Sequence, residues 1–102
     1  MKKNERYAII ANKSYGLYAG IVKKVTPQPD GTSIVEVDEC RHVARWFGKT
    51  GGITSLAAFG LRGPQAKDSR IGAPVKATLS GIINIFDCTI EARATLEAAK
   101  QQ

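Results

Sequence analysis

Between Ala77 and Phe86 the chain carries Leu79, Ile82, Ile83, Ile85 and Phe86 around Asn84, with apolar residues at odd and even positions alike. Successive strand residues point to opposite faces, so such a segment suits a strand buried on both sides. Something must then cover the far face of its sheet, and the C-terminal segment is the obvious cover. There Thr89 suits an N-cap and Glu91 falls in the first turn. Ala92, Thr95, Leu96 and Ala99 share one side of the helix.

The rest of the chain divides at its turns. Arg6 to Ala11 reads as a first strand, stopped by the turn formers Asn12-Lys13-Ser14. Leu17 to Val25 reads as a second strand, antiparallel to the first. Pro27-Gln28-Pro29-Asp30-Gly31 must be a loop, because proline removes donors and Asp-Gly is a strong hairpin signal. Ser33 to Val37 alternates as a third strand, Asp38-Glu39 interrupts it, and Cys40 to Phe47 continues as a fourth, giving a four-stranded meander. Ile53, Leu56, Ala57 and Phe59 suit a short helix within Gly52–Gly60, ended by Gly60 and Gly63-Pro64. Phe47 and Phe59 are expected in the core. The predicted fold class is α+β, a small antiparallel sheet with a short central helix and a C-terminal helix packed on it.

At 102 residues this is one domain, 1–102, with residues 1–5 and 99–102 as frayed ends. It buries roughly 65% of the surface of its extended chain, and 43% apolar residues supply a core. The five apolar residues Tyr7 to Ala11 are too few for a signal-peptide core, and no later run approaches a membrane span, so no membrane partner is expected. Cys40 and Cys88 lack CxxC spacing and share one histidine, which predicts two free thiols in a reducing cytosol and no metal or other cofactor. An apolar strand face in so short a chain favours a homo-oligomer.

Charge is distributed unevenly. Of eight charged residues from Arg41 to Lys76, seven are basic, and Asp68 alone is acidic. That segment therefore carries +6, the whole formal charge of the chain, while the flanks cancel. It also holds Trp46-Phe47, the glycine-rich stretch Gly48-Lys49-Thr50-Gly51-Gly52 and the turn Arg62-Gly63-Pro64. Cations, backbone amides and flat aromatic faces together suit a ligand that bears phosphates and bases. Stacking a base on one aromatic ring contributes about 1–3 kcal/mol.

Two motif readings fail. A P-loop needs glycine five residues before Gly48, where Val43 stands. Gly48-Lys49-Thr50-Gly51 is a literal GxxG, but a KH clamp joins two helices, and His42 to Phe47 reads as extended. Catalysis is not expected. His42 is the only histidine, embedded between Arg41 and Val43, and Asp38 and Glu39 would point to opposite sides of a strand. A positioned acid, base or nucleophile cannot be named.

The segments Cys40-Arg41-His42-Val43-Ala44-Arg45-Trp46, Gly51-Gly52-Ile53-Thr54-Ser55-Leu56-Ala57, Gly63-Pro64, Ser69-Arg70-Ile71-Gly72, Thr78-Leu79 and Asp87-Cys88-Thr89-Ile90-Glu91-Ala92 follow in a suggestive order. In that order and spacing, over about residues 6–98, the chain resembles the Thoeris anti-defence sponge proteins of the first type and their small phage-protein relatives. The resemblance implies a non-enzymatic protein of the host cytoplasm that sequesters cyclic ADP-ribose isomers, and in some members cyclic oligonucleotides. It implies a dimer or larger homo-oligomer with ligand pockets at subunit boundaries. On that basis Arg45, Arg62 and Arg70 are expected at phosphate, with Trp46 or Phe47 stacked on the base. Lys49, Thr50, Gly51 and Ser69 would supply hydrogen bonds. The alternatives are a phage nucleic-acid-binding protein, for which the net charge and a pI of 9.6 are warrant, and a virion structural or decoration module.

Overall fold

The structure, a computed structural model, describes residues 5–14, 16–46, 52–63 and 66–100. Five antiparallel strands and two helices form an α+β fold: β1 (Tyr7–Asn12), β2 (Leu17–Pro27), β3 (Ser33–Arg45), α1 (Ile53–Phe59), β4 (Arg70–Ile71), β5 (Val75–Asp87) and α2 (Ile90–Ala98). A short 3-10 turn, Ala66–Asp68, precedes β4.

The four-stranded meander is present, but its fourth strand is β5 in place of Cys40–Phe47, and it closes on itself. The sheet order is β2-β1-β5-β3-β4, and β2 also pairs with β3, so β2, β1, β5 and β3 close into a ring. The segments expected as third and fourth strands are one strand of 13 residues. Asp38-Glu39 does not end it. The register with β5 shifts between Val37 and Cys40, and Glu39 takes a φ of 51°, a bulge that bends the strand without breaking it. β5 closes the ring by changing partners. It faces β3 from Val75 to Ile82 and β1 from Ile82 to Asp87, turning beside Gly81, whose φ is 65°. Inside so narrow a ring space is short: a Cβ on Gly20 would stand 2.5 Å from Val37 Cγ1.

Two apolar clusters result. Ala8, Ile10, Val35, Val37, Cys40 and Ile82, drawn from β1, β3 and β5, fill the ring, with Tyr18 and Val22 of β2 packed beside them. Tyr7, Ile9, Leu17, Ala19 and Ile21 face the other way, against Leu56 of α1 and Leu96 of α2. The strand covered on both faces is therefore β1, whose first five residues are all buried. The sequence expectation had placed that role on Ala77–Phe86. In β5 only Ile82 is fully buried, and Ile83 is 52% exposed. Only Ile85 and Phe86, which pack on opposite clusters, fit the expectation. The helices lie over β1 and reach only that end of β5.

The helices form as their sequences predict. Thr89 Oγ1 accepts from Ala92 N at 3.0 Å and donates to Ala58 O at 2.6 Å, which caps α2 and ties it to α1. Ala92 and Leu96 are buried, and burying one leucine contributes about 2 kcal/mol. Gly60 ends α1 at φ 76°, ψ −157°, where any Cβ would overlap Thr95 Oγ1. Phe59, expected in the core, is 40% exposed, because α1 turns Leu56 and Ala57 inward. Among the described residues no helix is long and apolar enough to cross a membrane.

Candidate functional site

The basic segment is broken up by the fold. Arg41 is buried under α2. Its Nε donates to Gly72 O at 2.6 Å and its Nη1 to Leu96 O at 2.9 Å, so its charge compensates the C-terminal end of that helix. Arg62 donates from Nε to Phe59 O at 3.0 Å and pairs with Glu91, which joins α1 to α2. Lys76 borders a cleft with Lys23, Glu36 and Asp38, where two cations meet two carboxylates.

Arg45 and Arg70 come together instead. In the antiparallel ladder Val43 faces Ile71, and one step on Arg45 faces Arg70. A bulge between Val43 and Arg45 makes this register, because an unbroken ladder would set Ala44 there. Val43 and Ile71 are buried, while both arginines are exposed. Like charges directly opposite on a sheet repel. Lys67 and Asp68, from the 3-10 turn, complete a cavity of about 270 Å³ with the two arginines. Three cations thus face one carboxylate, an arrangement suited to an anion.

The remaining expected site residues are placed differently. Ser69 is buried and lines a neighbouring cleft of about 420 Å³, which shares Lys67 with the arginine cavity. Trp46 is half-buried and packs on the core under the helices. Phe47, Lys49, Thr50 and Gly51 lie outside the described residues. Arg62 is not among the described residues that line the arginine cavity. Sequence reasoning passed over Lys67 and Asp68, although both lie in the basic segment. Their signal was the turn that brings them back beside β4.

Other features carry less chemistry. A cavity of about 550 Å³ opens beside the β2–β3 hairpin, at the opposite end of β3. Its polar groups serve their own loops: Asn12 Oδ1 accepts from Gly16 N at 2.7 Å, and Asp30 Oδ1 accepts from Thr32 Oγ1 at 2.7 Å. Those bonds hold the Asp30 carboxyl below its usual range. Both cysteines are free. Burial pushes the Cys40 thiol up to about 11, and burial with the neighbouring Asp87 pushes Cys88 up to about 12, so both are protonated and weakly nucleophilic at neutral pH. His42 stacks at a tilt on Tyr18, with ring centroids 5.3 Å apart. Among the described residues no group of three or more His, Cys, Asp or Glu side chains could hold a metal ion.

Residues 5–96 match the family model described as Domain of unknown function (DUF6948). The chain belongs to that family. The DUF6948 match spans the closed ring, α1 and the arginine cavity, and ends within α2. No curated protein and no solved structure matches the chain.

Proposed function

We propose that this chain is a non-enzymatic binding protein that captures a compact, phosphate-bearing nucleotide in the host cytoplasm, as the phage sponges it resembles capture cyclic ADP-ribose-type immune signals. The observation that carries this reading is the placement of Arg45 opposite Arg70 in one cavity with Lys67. A phosphate between the two guanidiniums relieves their repulsion and accepts charge-assisted hydrogen bonds from both. The fate of the other cations favours a small ligand over a nucleic-acid strand. Arg41 and Arg62 are spent on helix carbonyls and Glu91, so two arginines of the basic segment are withdrawn from any stripe along which a polyanion could run. Val75 and Ile83, both more than half exposed on β5, supply apolar surface for the homo-oligomer that the resemblance implies.

The test is capture. Purified protein is incubated with cyclic ADP-ribose isomers, cyclic di- and trinucleotides and a short DNA strand. It is then washed and denatured, and the released compounds are identified by mass spectrometry. Recovery of one intact nucleotide is the expected result. Recovery of DNA alone would replace the reading with nucleic-acid binding, and an empty eluate would leave a structural role.

A further inference from the structure

The cleft that shares Lys67 with the arginine cavity differs from it in kind. Its apolar walls are Leu61, Ala66, Ala98 and Ala99, from the segment after α1, the 3-10 turn and the end of α2; Ser69 and Thr95 add hydroxyls, and Lys67 and Lys100 border it. Three of those four wall residues are alanines, so methyl groups stand where longer side chains would fill the space. At about 420 Å³ the cleft falls within the range of sites for small organic ligands, whereas the arginine cavity, at about 270 Å³, suits one or two phosphates. A cationic pocket beside an apolar cleft, with one lysine common to both, matches a molecule that has an anionic head and a flat, weakly polar body. A free inorganic anion leaves the cleft without a role. A polyanionic strand leaves it so too.

Resting on the phosphate reading above, we infer that the two cavities form one composite site for a nucleoside phosphate. The phosphate lies among Arg45, Arg70 and Lys67. The ring system lies in the cleft between Leu61 and Ala66 on one side and Ala98 and Ala99 on the other. Flat ring faces desolvate against the alanine methyls, while Lys67 and Lys100 donate to ring or sugar acceptors at the rim. The ring is therefore read by the end of α2, and the Trp46 side chain keeps its place against the core.

Titration calorimetry with two probes, ADP and inorganic pyrophosphate, tests this on the full chain. ADP is expected to bind at least ten times more tightly than pyrophosphate. Ala98 is exposed at the end of α2, so Ala98→Trp fills the cleft without entering the core. It should bring ADP affinity down to that of pyrophosphate and leave pyrophosphate unchanged. Ala66→Phe, from the facing wall, repeats the test should Ala98→Trp disturb the helix. Arg70→Ala should weaken both probes. Equal affinities, with both cleft variants silent, would overturn the composite site and leave the phosphate pocket intact. An Arg70→Ala variant that binds both probes normally, or a wild type that binds neither, would overturn the phosphate reading and the composite site with it.

Discussion

Arg41 and Arg45 stand four residues apart on one strand, and the fold gives them opposite surroundings. Arg41 is 5% exposed and spends its donors on the carbonyls of Gly72 and Leu96. Near it Arg93, also 5% exposed, donates to Glu5 Oε1 at 2.7 Å and lies over the Tyr7 ring at 5.0 Å. Arg93 Nε stands 3.0 Å from Glu97 Oε1, near enough to pair although off the line of a hydrogen bond. That region is a set of buried cations with partners, and it fixes α2 to the sheet. Arg45 and Arg70 are exposed, set against each other, and share their cavity with a third cation. An alternating strand would carry Arg41, Val43 and Arg45 on one face. The bulge after Val43 turns Arg45 out of that series. Charge type and sequence proximity therefore do not decide whether an arginine is buried with partners or set on the surface; one inserted residue does.

This contrast can be broken from either side. Arg41→Ala should lower the unfolding free energy by about 3 kcal/mol, since buried carbonyls lose their donor and the vacated stem leaves a void. Urea denaturation measures it, and a loss below about 1 kcal/mol would remove Arg41 from the structural set. Arg70→Ala should do the reverse. Nucleotide affinity should fall at least tenfold, or about 1.4 kcal/mol, while stability stays within about 0.5 kcal/mol of wild type. A variant that unfolds instead would make the cavity part of the scaffold.

A further effect concerns pH and the buried side. The ordinary thiol value is 9.0, and Cys88 is raised to about 12. Below about pH 9 the thiol is protonated in both states and stability is unaffected. Between pH 9 and about 12 the unfolded chain ionises while the folded chain resists, so stability declines as pH rises. Urea midpoints at about pH 8 and about pH 10.5, compared with those of Cys88→Ala, should show a shallower decline in the variant. Equal declines would mean that Cys88 titrates normally in the folded protein.

The candidate site was legible as composition but not as geometry. Arg45, Arg70 and Ser69 were expected at a ligand on the resemblance and the clustering of bases, and the structure sets the two arginines in one cavity and Ser69 in the adjoining cleft. Arg62 was indistinguishable from them in sequence, because its partner Glu91 lies 29 positions away. Lys67 and Asp68 entered the sequence reading only through the charge of the segment, and only the pairing of β4 with β3 shows that their turn closes a cavity. The apolar run of β1 was read as a strand, yet nothing in it announced that both its faces would be covered.

The sequence by itself determined the local elements. Asn12-Lys13-Ser14 and Asp30-Gly31 make turns, Gly60 ends α1 and Thr89 begins α2, because each depends on backbone freedom or on hydrogen bonds within a few residues. The tertiary structure alone decided that the strands close into a ring, that the helices cover β1 and only one end of β5, and which cations remain on the surface. Those outcomes rest on contacts between residues far apart in the chain, such as Arg41 with Leu96 and Ser33 with Ile82. A run of apolar residues records that a strand is buried, but what buries it is set by where the distant helices come to rest.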